Sequence, residues 1–371
     1  VAKGDHARAV EKIDRAHRTI PGSPFIATDR AVIHGLVPRS DDTDPPIARA
    51  YASLCGAEGA VAAGALDDAA RMAEVAVQFY AEAGLHHEAA RAHLALAEAL
   101  ARQGMGTGER DPSRSATTKK RAAKNGGDRP APPQVDLLVR AERTLDACVA
   151  VAAPRGYAPI VVGACLVRAA ICESRGDLDA AASALGDALG VAGEGADATL
   201  VLAARRAGAI TAFEARPRPI ARGPWAAMVD RLGLAKPAEV LWRIGARSWL
   251  RASGDPPPEK VACAVEVDAR KVRADDGRSL SLPEQRVALL CALAEAGDDG
   301  VTLEELFARV WKGTFHPLRH RNAVYVALAR LKDSLRPFAD DVSIAHDGER
   351  YRLAGGAPVG VRRRIDFGRA S

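Results

Sequence analysis

Along the first two hundred residues, small and apolar side chains return at a helical spacing. A glycine is followed five residues later by alanine, four later by an apolar residue and three later by alanine. The pattern occurs as Gly4, Ala9, Ile13, Ala16, as Gly64, Ala69, Ala73, Ala76, and as Gly176, Ala181, Leu185, Ala188; a copy without the glycine reads Ala141, Leu145, Cys148. Positions i, i+4 and i+7 share one face of an α-helix, so each copy predicts a helix with a narrow seam of small residues. The glycine suits a tight turn leading into that helix. Apolar helical stretches at 47–63, 88–103 and 160–174 precede the later copies, so the unit reads as helix, turn, second helix. Ala141 and Ala181 lie 40 residues apart, and Ala69 and Ala141 lie 72 apart, about 40 once an insertion of about 32 is set aside.

Two stretches interrupt this register. Residues 21–46 are irregular, and residues 104–133 are rich in Gly, Ser, Thr, Pro, Lys and Arg with almost no apolar content. The second stretch cannot bury enough surface to offset chain entropy and is expected to be a disordered insertion between two helices. Its Lys119, Lys120, Arg121 and Lys124 read as a solvated basic run. Residues 209–258 read as a connector: Trp225, Met228, Val229 and Leu232 predict one helix, Val240, Leu241, Ile244 and Leu250 a second, and 253–259, with its three prolines, a linker.

A different grammar begins at residue 259. Residues 264–273 alternate in part and predict a strand, Asp275, Asp276 and Gly277 a turn, and 279–282 the returning strand. Pro283 and Glu284 suit the first turn of a helix over 283–296 that buries Val287, Leu290, Leu293 and Ala294. Thr302 and Glu305 have the spacing of a capping box for a second helix ending near Trp311, with Leu303, Leu306, Phe307 and Val310 inward. After a loop at 312–318, a third helix is predicted over 319–335. At 100° per residue, Val324, Leu328, Leu331 and Leu335 fall within about 40° of one line and face a core. The opposite side carries Arg319, Asn322, Val326, Ala329 and Arg330. A hairpin over 342–345 and 350–353, turning at Asp347 and Gly348, closes the pattern, and 358–371 reads as a basic tail.

Composition agrees with helices that approach closely, since 48% of the 371 residues are hydrophobic but only 4% aromatic, so cores rest on Ala, Leu and Val. The net charge of +5 decides little by itself. Its distribution matters more: 312–336 holds six Lys or Arg (312, 319, 321, 330, 332, 336) against the single acid Asp333. No apolar run is long enough for a membrane span, and the expected location is cytoplasmic. The six cysteines form no CxxC pair and read as reduced thiols. There is no GxxxxGK[ST] loop and no HExxH, and His87 and His93 are too far apart for one metal-binding helical face. No catalytic residue, cofactor or metal is expected.

The helix-turn-helix units over residues 1–208 resemble tetratricopeptide repeats, which implies an α-solenoid presenting a concave surface to a protein partner or ligand. The chain opens on what reads as the second helix of such a repeat, so sequence upstream of Val1 is expected. Residues 259–357 resemble the OmpR/PhoB-type winged helix-turn-helix. The residues that carry this are the Asp276-Gly277-Arg278 turn, Leu282 with Glu284, Leu303, Glu305 and Leu306 with Trp311, then Val324, Val326, Leu328, Arg330, Leu331 and Leu335, and the closing Tyr351-Arg352-Leu353. The family often has Asp and His where Tyr325 and Ala327 stand, and Gly where Arg350 stands. No phosphoacceptor receiver domain precedes the motif, so control by aspartyl phosphorylation is not expected.

The expected fold is therefore mainly α, a solenoid followed by a small α+β domain. The resemblance implies a transcriptional regulator whose third helix enters the major groove of double-stranded DNA, with a homodimer on repeated half-sites as one arrangement. Arg pairs with guanine, Asn with adenine, and Val can touch a thymine methyl. The candidate DNA-binding residues are Arg319, Arg321, Asn322, Val326, Arg330 and Lys332 on the third helix, and Arg350 and Arg352 in the wing. Arg362, Arg363 and Arg364 in the tail are expected at phosphates. The alternatives are an adaptor whose winged helix docks a protein, and a regulatory piece of a larger enzyme. Deleting 104–133 is expected to leave helical content intact, as read by circular dichroism.

Overall fold

The small-residue seams are buried helix faces in the computed structural model, which describes residues 3–20, 22–34, 36, 38, 41, 43–106, 134–193, 196, 198–207, 225–234 and 239–365. Described in this way, the chain is mostly helical, with small sheets in its C-terminal part. It divides into two compact units, one from residues 1–172 and 179–235, the other from 173–178 and 236–371.

The first unit contains α1 (Lys3–Thr19), α2 (Pro24–Ile33), α3 (Pro46–Ala63), α4 (Leu66–Glu82), α5 (His86–Gly104), α6 (Gln134–Ala152), α7 (Ala158–Arg175), α8 (Leu178–Ala192), α9 (Ala198–Arg206) and α10 (Ala226–Leu232). Ala69, Ala73 and Ala76 of α4, Ala141, Leu145 and Cys148 of α6, and Ala181, Leu185 and Ala188 of α8 are all wholly buried. The first copy, Ala9, Ile13 and Ala16, is only half-buried, and Gly4 lies inside α1. Alanine at these positions lets neighbouring backbones come close without leaving voids. Gly64 and Gly176 each take a left-handed φ of 79°, which closes the turns from α3 to α4 and from α7 to α8. An L side chain pays a steric penalty in that conformation, so glycine is suited to both.

The helices pack as two rows. Arg91 of α5 forms a bidentate pair with Glu58 of α3, at 3.1 and 2.8 Å, and Leu94 of α5 lies against Gly163 of α7. In the other row Arg140 of α6 meets Glu74 of α4 at 3.0 Å. The insertion expected at 104–133 lies, from residue 107, outside the described residues. The helix expected around Trp225, Met228, Val229 and Leu232 is α10, and these side chains join the main core of the unit.

The second unit contains β1 (Val240–Ile244), β2 (Arg247–Arg251), β3 (Cys263–Glu266), β4 (Lys271–Arg273), β5 (Ser279–Ser281), α11 (Glu284–Ala296), β6 (Val301–Thr302), α12 (Leu303–Trp311), α13 (Pro317–Ser334), β7 (Ser343–His346), β8 (Arg350–Ala354) and β9 (Val359–Arg364). Six strands form one sheet in the order β2-β1-β9-β3-β4-β5, and three form another in the order β6-β8-β7. Leu289, Leu290 and Leu293 of α11 are wholly buried in the core shared with Val265, Val272 and Val361 of the larger sheet. Thr302 caps α12 as its spacing predicts: its hydroxyl accepts from the Glu305 N–H at 3.2 Å, and its own N–H donates to the Glu305 carboxylate at 2.9 Å.

Four expectations are corrected here. The second connector helix is instead the hairpin β1–β2, closed by Gly245 (φ 58°) and Ala246 between the paired Ile244 and Arg247. Val240, Trp242 and Ile244 alternate inward with period two, a strand pattern that the helical spacing of Val240, Leu241 and Ile244 obscured. Residues 253–259 are no linker between domains, because β1 and β2 before them and β3 after them belong to one sheet. The single strand expected over 264–273 is β3 and β4, folded back on each other at Arg270 (φ 52°). The basic tail is, through Arg364, the strand β9, inserted antiparallel to β1 and parallel to β3. Hence the domain expected over 259–357 extends at both ends. Gly360 makes room for this strand: a Cβ there would come within 3.0 Å of the Trp242 ring.

Replacing Thr302 with alanine is expected to lower stability by about 1 kcal/mol in denaturant unfolding, with serine restoring most of it. The backbone N–H of Thr302 holds the Glu305 carboxyl below its ordinary 4.5. A depressed folded pKa stabilises above the ordinary carboxylate range, and this contribution should fade as pH falls below about 4.5. It should be missing from the Glu305→Ala variant at every pH.

Candidate nucleic-acid interface

The geometry of α13 begins with its apolar seam. Val324, Ala327, Leu328 and Leu331, followed by Leu335, are buried against α11, α12 and the small sheet. Pro317 occupies the first helical turn, where its missing N–H costs nothing, so the helix starts two residues before the sequence pattern indicated. The backbone N–H of His316 donates to His320 Nδ1 at 2.9 Å, and the His320 ring stacks on Phe307 at 4.3 Å between centroids. Phe307 also stacks on Trp311 at 5.1 Å, so the aromatic residues of α12 form a backing for the start of α13. His320, counted from sequence as an added outward charge, is instead half-buried in this backing.

With that side held, Arg319, Arg321, Asn322, Val326, Arg330 and Lys332 are all exposed. At 100° per residue from Val324, Asn322 and Val326 stand at about 160° and 200°. Arg319 and Arg330 stand at about 220° and 240°, and Arg321 and Lys332 at about 60° and 80°. The face is therefore a polar and apolar centre between two cationic flanks. Among the described residues, no hydrogen bond or ion pair engages the side chains of Arg319, Asn322, Arg330 or Lys332. Asp333, the one acid of the helix, pairs with Arg336 at 3.1 Å. Asn322, Val326 and Arg330 also line a groove of about 570 Å³ shared with Gln285, Arg286 and Trp311.

Two residues that sequence reasoning did not assign to the face are on it. Leu318 is 93% exposed, and Tyr325 is 39% exposed. Arg321 lies 5.9 Å from the Tyr325 ring centroid and its Nε donates to the Tyr325 hydroxyl at 3.3 Å. Burial, and then Tyr325, push the Tyr351 hydroxyl above its ordinary 10, and Tyr351 stacks on His346 at 4.2 Å. Tyr325 thus connects α13 to the β7–β8 hairpin. Its number in a helical wheel could have placed it on the face, but not its partners on another strand.

The two hairpin arginines separate. Arg352 is exposed on β8. Arg350 is half-buried, and its Nη1 donates to the carbonyls of Gly300 at 3.1 Å and Asp299 at 3.4 Å, with Glu305 3.8 Å away. It therefore ties the hairpin to the entry of α12. The former tail arginines also have partners. Arg362 donates to the Ser253 carbonyl at 2.7 Å, Arg363 to Glu295 at 2.7 Å, and the Arg364 backbone N–H to Asp268 at 2.7 Å. The side chains of Arg362 and Arg363 thus brace the larger sheet, whereas Arg364 is exposed.

Burial holds the thiols of Cys148 and Cys263 near 12 and that of Cys291 near 11, so these groups are protonated at neutral pH. Among the described residues, no group of three or more His, Cys, Asp or Glu side chains has the arrangement to hold a metal ion, and no helix is long and apolar enough to cross a membrane.

Arg350→Ala is expected to cost about 1–3 kcal/mol of folding stability, because two carbonyls lose a charged donor. Arg352→Ala should stay within about 0.5 kcal/mol of the unmodified chain. Chemical unfolding followed by circular dichroism separates the two outcomes. No protein-family model matches the chain, and neither a curated protein nor a solved structure does.

Proposed function

We propose that this chain is a sequence-specific transcriptional regulator that binds double-stranded DNA through α13. In this reading residues 240–364 contain a winged helix-turn-helix of OmpR/PhoB type, with α12 and α13 as the helix-turn-helix and β7–β8 as the wing. The helices of the first unit are tetratricopeptide-like repeats that sense a protein partner or ligand. The protein works in the cytoplasm at the nucleoid, without catalytic activity or cofactor, and a second copy occupies a repeated half-site.

The observation that carries the reading is the arrangement of the exposed face of α13. B-DNA offers base edges at the floor of the major groove and phosphates along both walls. Asn322 and Val326 in the centre of the face, with the adjoining Arg330, match the floor; Arg319 on one flank and Arg321 and Lys332 on the other match the walls. An α-helix fits the groove, and cations at its walls release counterions. The cation–π contact with Tyr325 limits where Arg321 can reach and so favours one orientation on the duplex.

The second reading is a protein-docking module. It is favoured by Leu318, Tyr325 and Val326, which expose apolar surface on the same helix.

Selection from random duplexes at about 100 mM salt tests the first reading against the second. An enriched duplex is expected. Against it, Asn322→Ala and Arg330→Ala should each cost about 1–3 kcal/mol. Lys332→Ala should weaken all duplexes alike and reduce the salt slope by about one. If no sequence is enriched by the folded chain, the docking reading takes its place.

A further inference from the structure

The segment from Trp225 to Leu234 is seated on the row formed by α5 and α7. Trp225, Met228, Val229, Leu232 and Leu234 are all buried in the core of the first unit. Gly163 of α7 makes room for Leu94 of α5, which a Cβ would meet at 2.7 Å, and Met228 Sδ lies beside it at contact distance. The Trp225 indole N–H donates to the Pro159 carbonyl at 3.4 Å, at the start of α7. Two further contacts are polar: Arg206 of α9 donates to the Leu234 carbonyl at 2.8 Å, and the other joins α10 to α5. Arg231 forms a bidentate pair with Glu98 of α5, at 2.8 and 3.1 Å. The Glu98 side chain is only 5% exposed, while that of Arg231 is 26% exposed.

Glu98 is the informative residue. A buried carboxylate is costly to desolvate, and an apolar residue of similar size would hold a permanent cap at least as well. What the carboxylate adds is selectivity: the buried Arg102 on the same helix shares its electrostatics, but the two hydrogen bonds at 2.8 and 3.1 Å come from Arg231, so an arginine at that one position is rewarded. The surface of α5 and α7 therefore has the properties of a peptide site: an apolar bed with space for a bulky aromatic residue and a methionine, and one acid that reads an arginine.

We propose that residues 225–234 are an internal stand-in for a partner peptide, and that this surface binds helical segments in which an aromatic residue, a methionine or leucine three residues on, and an arginine three further on face one side. The partner competes with the chain's own copy, so occupancy depends on displacing α10. This deepens the reading of the first unit as a sensor and rests on it, but makes no use of DNA binding. Failure to enrich a duplex would leave it standing.

The test is fluorescence anisotropy of the full chain with a labelled synthetic peptide of residues 224–235. The unmodified chain should bind weakly, because its own copy competes. The Arg231→Ala chain should bind at least tenfold more tightly, since its internal copy is weakened and the peptide restores the bidentate pair with Glu98 that the substitution removes. A peptide with alanine in place of that arginine should lose at least tenfold on the same variant. Equal affinity of the two chains, or of the two peptides, overturns the proposal. Should circular dichroism show that the variant does not fold, hydrogen exchange of the unmodified chain decides. Amides of 228–234 should then exchange well before those of 164–171, and equal protection of the two stretches would overturn it.

Discussion

The second unit depends on one apolar seam. Burying Val324, Leu328, Leu331 and Leu335 removes one side of α13 from water, and the rotation of the helix about its axis follows from that burial. Each of these residues lies close to the same line on the helix, so any other rotation would expose several at once. The orientation of Asn322, Val326 and the four flanking cations is thus a consequence of hydrophobic packing on the opposite side. The capping box of Thr302 and Glu305 and the ring stack of Phe307, Trp311 and His320 stabilise the same arrangement by setting where α12 begins and how α13 leaves it.

In the first unit the corresponding constraint is the size of side chains. Seams of alanine permit close backbone approach over long stretches, and such seams say little about which helix will be the neighbour. Polar pairs add that information. Glu58 with Arg91, Glu74 with Arg140, and Glu98 with Arg231 each join particular helices. The first two are exposed enough that their energetic contribution is small. The third, with a carboxylate almost wholly buried, carries far more consequence for what occupies its surface.

The arginines illustrate how little charge counting says without structure. Arg319, Arg330 and Lys332 extend from a helix into solvent, whereas Arg350, Arg362 and Arg363 are held by carbonyls or a carboxylate of their own unit. All are equivalent in a tally of basic residues. The proposed DNA-binding set is accordingly narrower than the basic composition implied: the candidates of α13 and Arg352 of β8 stay in it, while the side chains of Arg350, Arg362 and Arg363 have structural work.

Local physics was enough to read several features from the residues alone. Helical spacing identified the buried seams of α4, α6, α8 and α13, the Thr302–Glu305 spacing identified a helix start, and Asp276 with Gly277 identified a turn. Each depends on interactions between residues within about one or two helical turns. Tertiary structure decided the rest. β9 finds its place between β1 and β3, roughly a hundred residues earlier in the chain, and its backbone pairing leaves no short-range signature. The β1–β2 hairpin is too short for its alternation to outweigh a chance helical spacing. Arg350 has its partners fifty residues away and Arg231 more than a hundred away. Hydrogen bonds across such separations depend on the folded path of the chain, which no local pattern of residue types contains.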